Sequence, residues 1–184
     1  MVNQIESLKN LNQDQKRILL NVIINIQKKD TQELEKNLIK LQENNISINI
    51  NLDQVEDYYE YPDKLEIDSS SEYERNFLGF LQKYPSIPII KLLIKYGIDI
   101  NAIDEYSFIS TPLHLFFSAS KKFKLVRYIF KLVDKNKLNN EYYLIRDMIK
   151  KIRITKNKKV KKYIKYMLSF IKPNIRKYVI DNYL

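Results

Sequence analysis

One segment of the chain, residues 87–115, restricts the fold more than any other. It begins with apolar residues at the three-to-four spacing of an amphipathic helix, and Gly97 follows where this pattern stops. A short turn comes next, and the run Thr-Pro-Leu-His at residues 111–114 opens a second helical pattern. Threonine is a good helix N-cap, and proline fits the first helical turn because its missing N–H costs nothing there. The segment therefore predicts two helices joined by a turn.

The turn that contains Gly97 has a counterpart at residues 44–50. Asn45 takes the place of Gly97, and both residue types tolerate the left-handed conformation that ends many helices. Further along this turn, Asn49 takes the place of Asn101. The chain is therefore expected to contain an earlier, less regular copy of the same unit.

Helical periodicity predicts two helices before this earlier turn. Asn12 or Asp14 is expected to cap a helix that runs to about Lys29, and Asp30 or Thr31 is expected to cap the next. The apolar residues predicted for their buried faces are Ile18, Leu19, Val22, Ile23, Ile26, Leu34, Leu38, Ile39 and Leu41.

The order of helix, glycine, turn and Thr-Pro-Leu-His resembles the ankyrin repeat, whose signature includes that tetrapeptide. Residues 125–130 and 160–165 repeat the pattern of the helix before Gly97, at an offset close to the ankyrin period of about 33 residues. The resemblance implies an all-α, ankyrin-like helical solenoid of three to four irregular repeats, forming one domain. The expected repeats are 12–50, 71–103, 111–137 and 141–171, with an acidic insertion at 51–70 and a C-terminal cap at 173–184.

The resemblance also implies structural roles for the residues of the signature. Gly97 would end the outer helix, and the side chains of Thr111 and His114 would form hydrogen bonds around the turn. Pro112 and Leu113 would begin the inner helix. The chain departs from the family at Phe116, where a small residue is usual, and in a longer turn without glycine before Thr111. Phe116 is expected either to hold the inner helices further apart or to face outward as a contact.

An ankyrin-like scaffold implies protein binding without catalysis, by occlusion or tethering. The partner would be a host factor or a toxin, bound through the hairpin tips and the concave face. The candidate contacts in the insertion are Asp57, Tyr58, Tyr59, Glu60, Tyr61 and Asp63, and those at the next tip and inner helix are Asp104, Glu105, Tyr106, Phe108 and Phe116. Tyrosine is enriched at interfaces, and acidic residues would steer a partner with a basic surface. A solvated loop remains the alternative for the insertion.

Charge is unevenly distributed along a chain whose net charge is +10. Residues 51–80 carry a net charge of −7, and residues 111–184 carry +16. A basic cluster suggests phosphate contact and gives nucleic-acid binding as the alternative function. Its members are Lys150, Lys151, Arg153, Lys156, Lys158, Lys159, Lys161, Lys162 and Lys165. A solvated face, with lysine enriched by AT-rich codons, is the competing interpretation, because Tyr163 and Tyr166 are expected to fall partly on the apolar stripe rather than among the lysines.

Composition argues against most catalytic chemistry. The chain has no cysteine, one histidine and two glycines, so cysteine–histidine metal sites and glycine-rich phosphate loops are excluded. We therefore expect no cofactor and no enzymatic activity, and a structural role for His114. The N-terminus lacks a signal-peptide pattern, and no apolar run is long enough to span a bilayer. The expected location is the cytoplasm, either of the producing cell or of a host cell.

Overall fold

The computed structural model of the chain describes residues 11–50, 52, 77–101, 113, 117, 123–136 and 142–183. Every regular element in this part of the chain is helical, which confirms the predicted all-α class. The helices with defined ends are α1 Gln13–Lys28, α2 Thr31–Glu43, α3 Phe77–Lys83, α4 Ile87–Lys95, α5 Phe123–Leu132, α6 Tyr142–Ile154, α7 Lys158–Leu168 and α8 Pro173–Tyr183. The chain divides into two compact units, one up to Asp99 and one from Ile100 onward.

Short polar side chains set the start of several helices. Asn12 caps α1 with a capping box, since its Oδ1 accepts the N–H of Gln15 at 2.9 Å and the Gln15 side chain accepts the N–H of Asn12 at 3.0 Å. Asp30 caps α2 by accepting two first-turn N–H groups at 3.1 Å each. Ser86 and Asn157 cap α4 and α7 in the same way. Of the predicted alternatives, Asn12 rather than Asp14 caps α1, and Asp30 rather than Thr31 caps α2.

In the first unit, α1 packs on α2 and on α3, and α2 packs on α4. The buried residues of these helices are mostly aliphatic, with two phenylalanines in α3: Leu19, Val22, Ile23, Ile26, Leu34, Leu38, Leu41, Phe77, Leu78, Phe80, Leu81, Ile89, Ile90 and Leu93. The prediction for Ile39 is wrong, because this side chain is 41% exposed. Leu34, Leu38 and Leu41 already form the buried stripe of α2, and Ile39 lies about 100° around the helix from Leu38. Ile18 is only half-buried.

In the second unit, α6 packs on both α7 and α8. Five apolar residues recur at helical spacing in α6, namely Leu144, Ile145, Met148, Ile149 and Ile152, and all are buried except Ile149, which is half-buried. The buried residues of α6 and α7 are Leu144, Ile145, Met148, Ile152, Ile164, Met167 and Leu168. The predicted last helix begins at Pro173, as expected for a proline in a first helical turn.

The predicted insertion at 51–70 and the turn before residue 113 lie almost entirely outside the described residues. Leu52 in the insertion is described and buried, and so are Leu113 and Phe117, which follow the turn. Leu113 and Phe117 are helical, in agreement with the helix predicted to open at residues 111–114. The proposed boundaries of the repeats stay a prediction.

Candidate binding surfaces

The turns after α2 and α4 have the same conformation and the same hydrogen bonds. Asn45 has a φ of 56° and Gly97 has a φ of 94°, so both residues are left-handed. Ile46 and Ile98, which follow them, donate their N–H groups to the carbonyl five residues earlier, at 2.8 and 3.0 Å. These contacts form a Schellman motif, in which the backbone satisfies carbonyls left open at the helix end. The predicted correspondence of Asn45 and Gly97 is therefore confirmed.

A second asparagine joins the two turns to each other. The Nδ2 of Asn49 donates to the carbonyl of Gly97 at 2.8 Å, and its Oδ1 accepts the N–H of Asp99 at 2.6 Å. In the second unit, the Oδ1 of Asn101 accepts the N–H of Asp134 at 2.7 Å. Asn49 and Asn101 therefore both use a side chain to bind the backbone of a later turn. The correspondence of Asn49 and Asn101 in the sequence did not predict this role, although an asparagine repeated at one turn position was a usable signal.

The helices that precede these turns are also joined by a charged contact. Glu35 of α2 accepts hydrogen bonds from the Nζ of Lys95 at 2.6 Å and from the hydroxyl of Tyr96 at 3.1 Å. The hydrogen bond from Lys95, followed by that from Tyr96, lowers the pKa of Glu35, and the same contact with Glu35 raises the pKa of Lys95. Both side chains are substantially exposed, so water screens this contact and limits its contribution to stability.

The residues predicted to contact a partner protein lie outside the described residues. This applies to the insertion residues Asp57, Tyr58, Tyr59, Glu60, Tyr61 and Asp63, to the tip residues Asp104, Glu105, Tyr106 and Phe108, and to Phe116. It also applies to the signature residues Thr111, Pro112 and His114. The assignments of these residues stay predictions, and Gly97 and Leu113 are the signature residues that the structure describes.

The basic C-terminal region presents its lysines on the exposed side of α7. We call Lys158, Lys159, Lys162, Lys165 and Tyr166 the lysine face, because all five side chains are exposed. Tyr166 is 51% exposed and follows Lys162 by four residues, so the two are neighbours on the helix surface. The expectation that no aromatic residue shares a face with the lysines is therefore wrong. Periodicity misled here because a tyrosine at the edge of an apolar stripe can present its polar end to water.

An aromatic cluster holds Tyr166 in place. The Tyr166 ring contacts those of Phe170, Tyr163 and Phe130, with centroids 5.2, 5.6 and 6.0 Å away. Tyr163 lies deeper than Tyr166, and the guanidinium of Arg127 sits 5.0 Å from its ring centroid. Burial raises the pKa of Tyr163, and the nearby Arg127 partly offsets this. The cluster supports one side of Tyr166 and leaves about half of the side chain open to solvent.

Comparisons of the chain with protein-family models, with curated proteins and with solved structures find no match. None of the described helices combines the length and the apolar character that a membrane-spanning segment needs. Within the same residues, no group of three or more histidine, cysteine, aspartate or glutamate side chains is arranged to hold a metal ion.

Proposed function

We propose that the chain is a non-enzymatic protein-binding scaffold built from ankyrin-like helical repeats. The observation that carries the proposal is a pair of hydrogen bonds made by the Asn49 side chain, which donates to the carbonyl of Gly97 and accepts from the N–H of Asp99. They join two turns that lie about 50 residues apart and both end a helix with a left-handed residue. In a stack of helix-turn-helix units, each unit buries its apolar face against the next. Hydrogen bonds between successive turns would hold the units in the positions that this burial requires.

The packing of the first unit supports the same proposal. The first helix of one pair, α1, packs on the first helix of the next, α3, and the second helices α2 and α4 also pack on each other. In repeat scaffolds of this kind, insertions map to loops on one face, which is often the binding face. The acidic, tyrosine-rich insertion at 51–70 is therefore our first candidate for the partner site, followed by the tip at residues 104–108.

The charge of the insertion indicates the kind of partner. A net charge of −6 over residues 51–70 favours a protein with a basic surface, which the scaffold would occlude or tether. A toxin or a host factor with such a surface fits this description. Acidic side chains around tyrosines would speed association, and the tyrosine rings would supply contact area.

The proposal is tested by capturing partners from the native cell and then measuring the affinity of each captured protein by titration calorimetry. The variant Asp57→Asn/Glu60→Gln/Asp63→Asn removes three charges from the insertion. The control Asp14→Asn/Glu33→Gln/Glu43→Gln removes three exposed charges from α1 and α2. We expect the insertion variant to weaken binding about tenfold or more and the control to have little effect. The proposal fails if no protein is retained specifically, or if the two variants bind equally well.

A further inference from the structure

The positive charge of the chain is concentrated in one stretch. Residues 148–180 contain 12 basic and no acidic residues, whereas the other 151 residues contain 20 basic and 22 acidic residues. A codon bias toward lysine would enrich lysine along the whole chain and would not remove aspartate and glutamate from one stretch alone. The concentration therefore indicates an anionic ligand for this part of the second unit.

The lysine face of α7 arranges part of this charge at regular intervals. Three of its lysines, Lys158, Lys162 and Lys165, are spaced by four and then three residues. This spacing places them in a row along one side of the helix, with a rise of about 5 Å along the axis from one to the next. No acidic side chain among the described residues forms an ion pair with them or with Lys159. A row of such lysines suits a ligand with repeated negative charges.

Tyr166 adds a second kind of contact to this row. Its ring is held by Phe130 and Phe170, yet half of the side chain is exposed among the lysines. Proteins that bind single-stranded nucleic acids combine aromatic side chains with a row of cations. The bases stack on the aromatic rings and the phosphates contact the cations. A base in a duplex is already stacked on its neighbours and is less available.

We propose that the lysine face of α7 binds single-stranded nucleic acid, with phosphates on Lys158, Lys159, Lys162 and Lys165 and a base stacked on Tyr166. This inference does not depend on the proposed protein-binding function. An anionic membrane is a poorer occupant, because Ile164, Met167 and Leu168 are buried in the protein and α7 has no apolar face to insert into lipid.

The experiment is fluorescence anisotropy of the full chain with a labelled single strand of about 20 nucleotides, over a range of salt concentrations. The variant Lys158→Gln/Lys162→Gln removes two charges from the lysine face. The control Lys40→Gln/Lys91→Gln removes two charges from exposed positions of α2 and α4. We expect the logarithmic salt slope of the first variant to fall by about 1.4, which corresponds to two lost phosphate contacts, and that of the control to stay unchanged. Circular dichroism checks that both variants fold.

The role of Tyr166 is tested in the same assay with Tyr166→Leu, which keeps an apolar side chain against Phe130 and Phe170, and with Tyr166→Phe, which keeps the ring. We expect the leucine variant to bind the single strand about fivefold more weakly or worse, and the phenylalanine variant to bind it nearly as well as the native chain. Binding of the native chain to a labelled duplex and to vesicles containing phosphatidylserine is measured for comparison.

Three outcomes would overturn the proposal. The first is no binding of the single strand near physiological salt, whether or not the vesicles bind. The second is an equal loss of affinity in the lysine-face variant and its control, because the loss would then follow from the net charge of the chain and not from the lysine face. The third is equal affinity for strand and duplex that Tyr166→Leu does not change.

Discussion

The turns after α2 and α4 differ instructively from the turn after α5. The first two end their helices with a left-handed residue, Asn45 or Gly97. In the described part of the turn after α5 no residue has a positive φ, yet the N–H of Asp134 still bonds to the side chain of Asn101. The stop signal of the helix and the contact between turns are therefore separate features. The asparagine-to-backbone contact is present after α5, where the described residues include no left-handed one. We therefore expect the asparagine contact to contribute more than the left-handed residue to the arrangement of the turns.

Replacing Asn49 by alanine is expected to have the largest effect on this comparison. The change removes the hydrogen bonds to the Gly97 carbonyl and from the Asp99 N–H, and each such bond contributes about 0.5–1.5 kcal/mol. Asn49→Ala should therefore lower the free energy of unfolding by about 1–2 kcal/mol in urea denaturation. Asn49→Asp keeps the acceptor for the Asp99 N–H but sets a carboxylate oxygen against the Gly97 carbonyl oxygen, so it should also lower the free energy of unfolding. A free energy of unfolding that neither change lowers would show that the contact adds nothing to stability.

Local features of the fold were the part that the sequence predicted well. Asn12, Asp30 and Pro173 mark helix starts because a short side chain or a ring acts on the backbone within three residues of it. Asn45 and Gly97 mark helix ends for the same local reason. Such signals need no knowledge of what packs against the helix, and each of these five is found where it was predicted.

Features that depend on neighbouring elements were the part that the sequence predicted badly. The bonds of Asn49 reach about 50 residues along the chain, and nothing near Asn49 indicates which backbone it meets. Ile39 was assigned to the core because its residue type is apolar, but the stripe of α2 is already complete without it. Tyr166 was expected to fall partly on the apolar stripe, and periodicity does not say how much of its ring the neighbouring rings would cover. The contacts proposed for the insertion rest on composition alone.

Replacing Gly97 by alanine tests the stop signal itself and should have a smaller effect. No atom lies within 4 Å of a Cβ added at Gly97, so the cost is only that of holding an L-residue at a φ of 94°. This cost of about 1–2 kcal/mol is partly offset because alanine restricts the unfolded chain, which leaves a net loss of about 1 kcal/mol. Asn45→Gly should change stability by less, since a φ of 56° already suits asparagine. Equal losses in urea denaturation for both changes would contradict this account.

The contact of Glu35 with Lys95 and Tyr96 should have the smallest effect, and it separates the role of the helices from that of the turns. Because Lys95 lowers the pKa of Glu35 from its usual 4.5, the contact stabilises the folded chain above about pH 4.5 and is lost as the pH falls through the lowered value. Glu35→Gln should therefore lower Tm slightly at pH 7 and reduce the decline of Tm below pH 4.5. Glu43→Gln, at the exposed end of the same helix, is the control and should keep the native pH profile. If Glu35→Gln also keeps the native profile while Asn49→Ala destabilises the chain, the turns rather than the charged contact hold α2 and α4 in register.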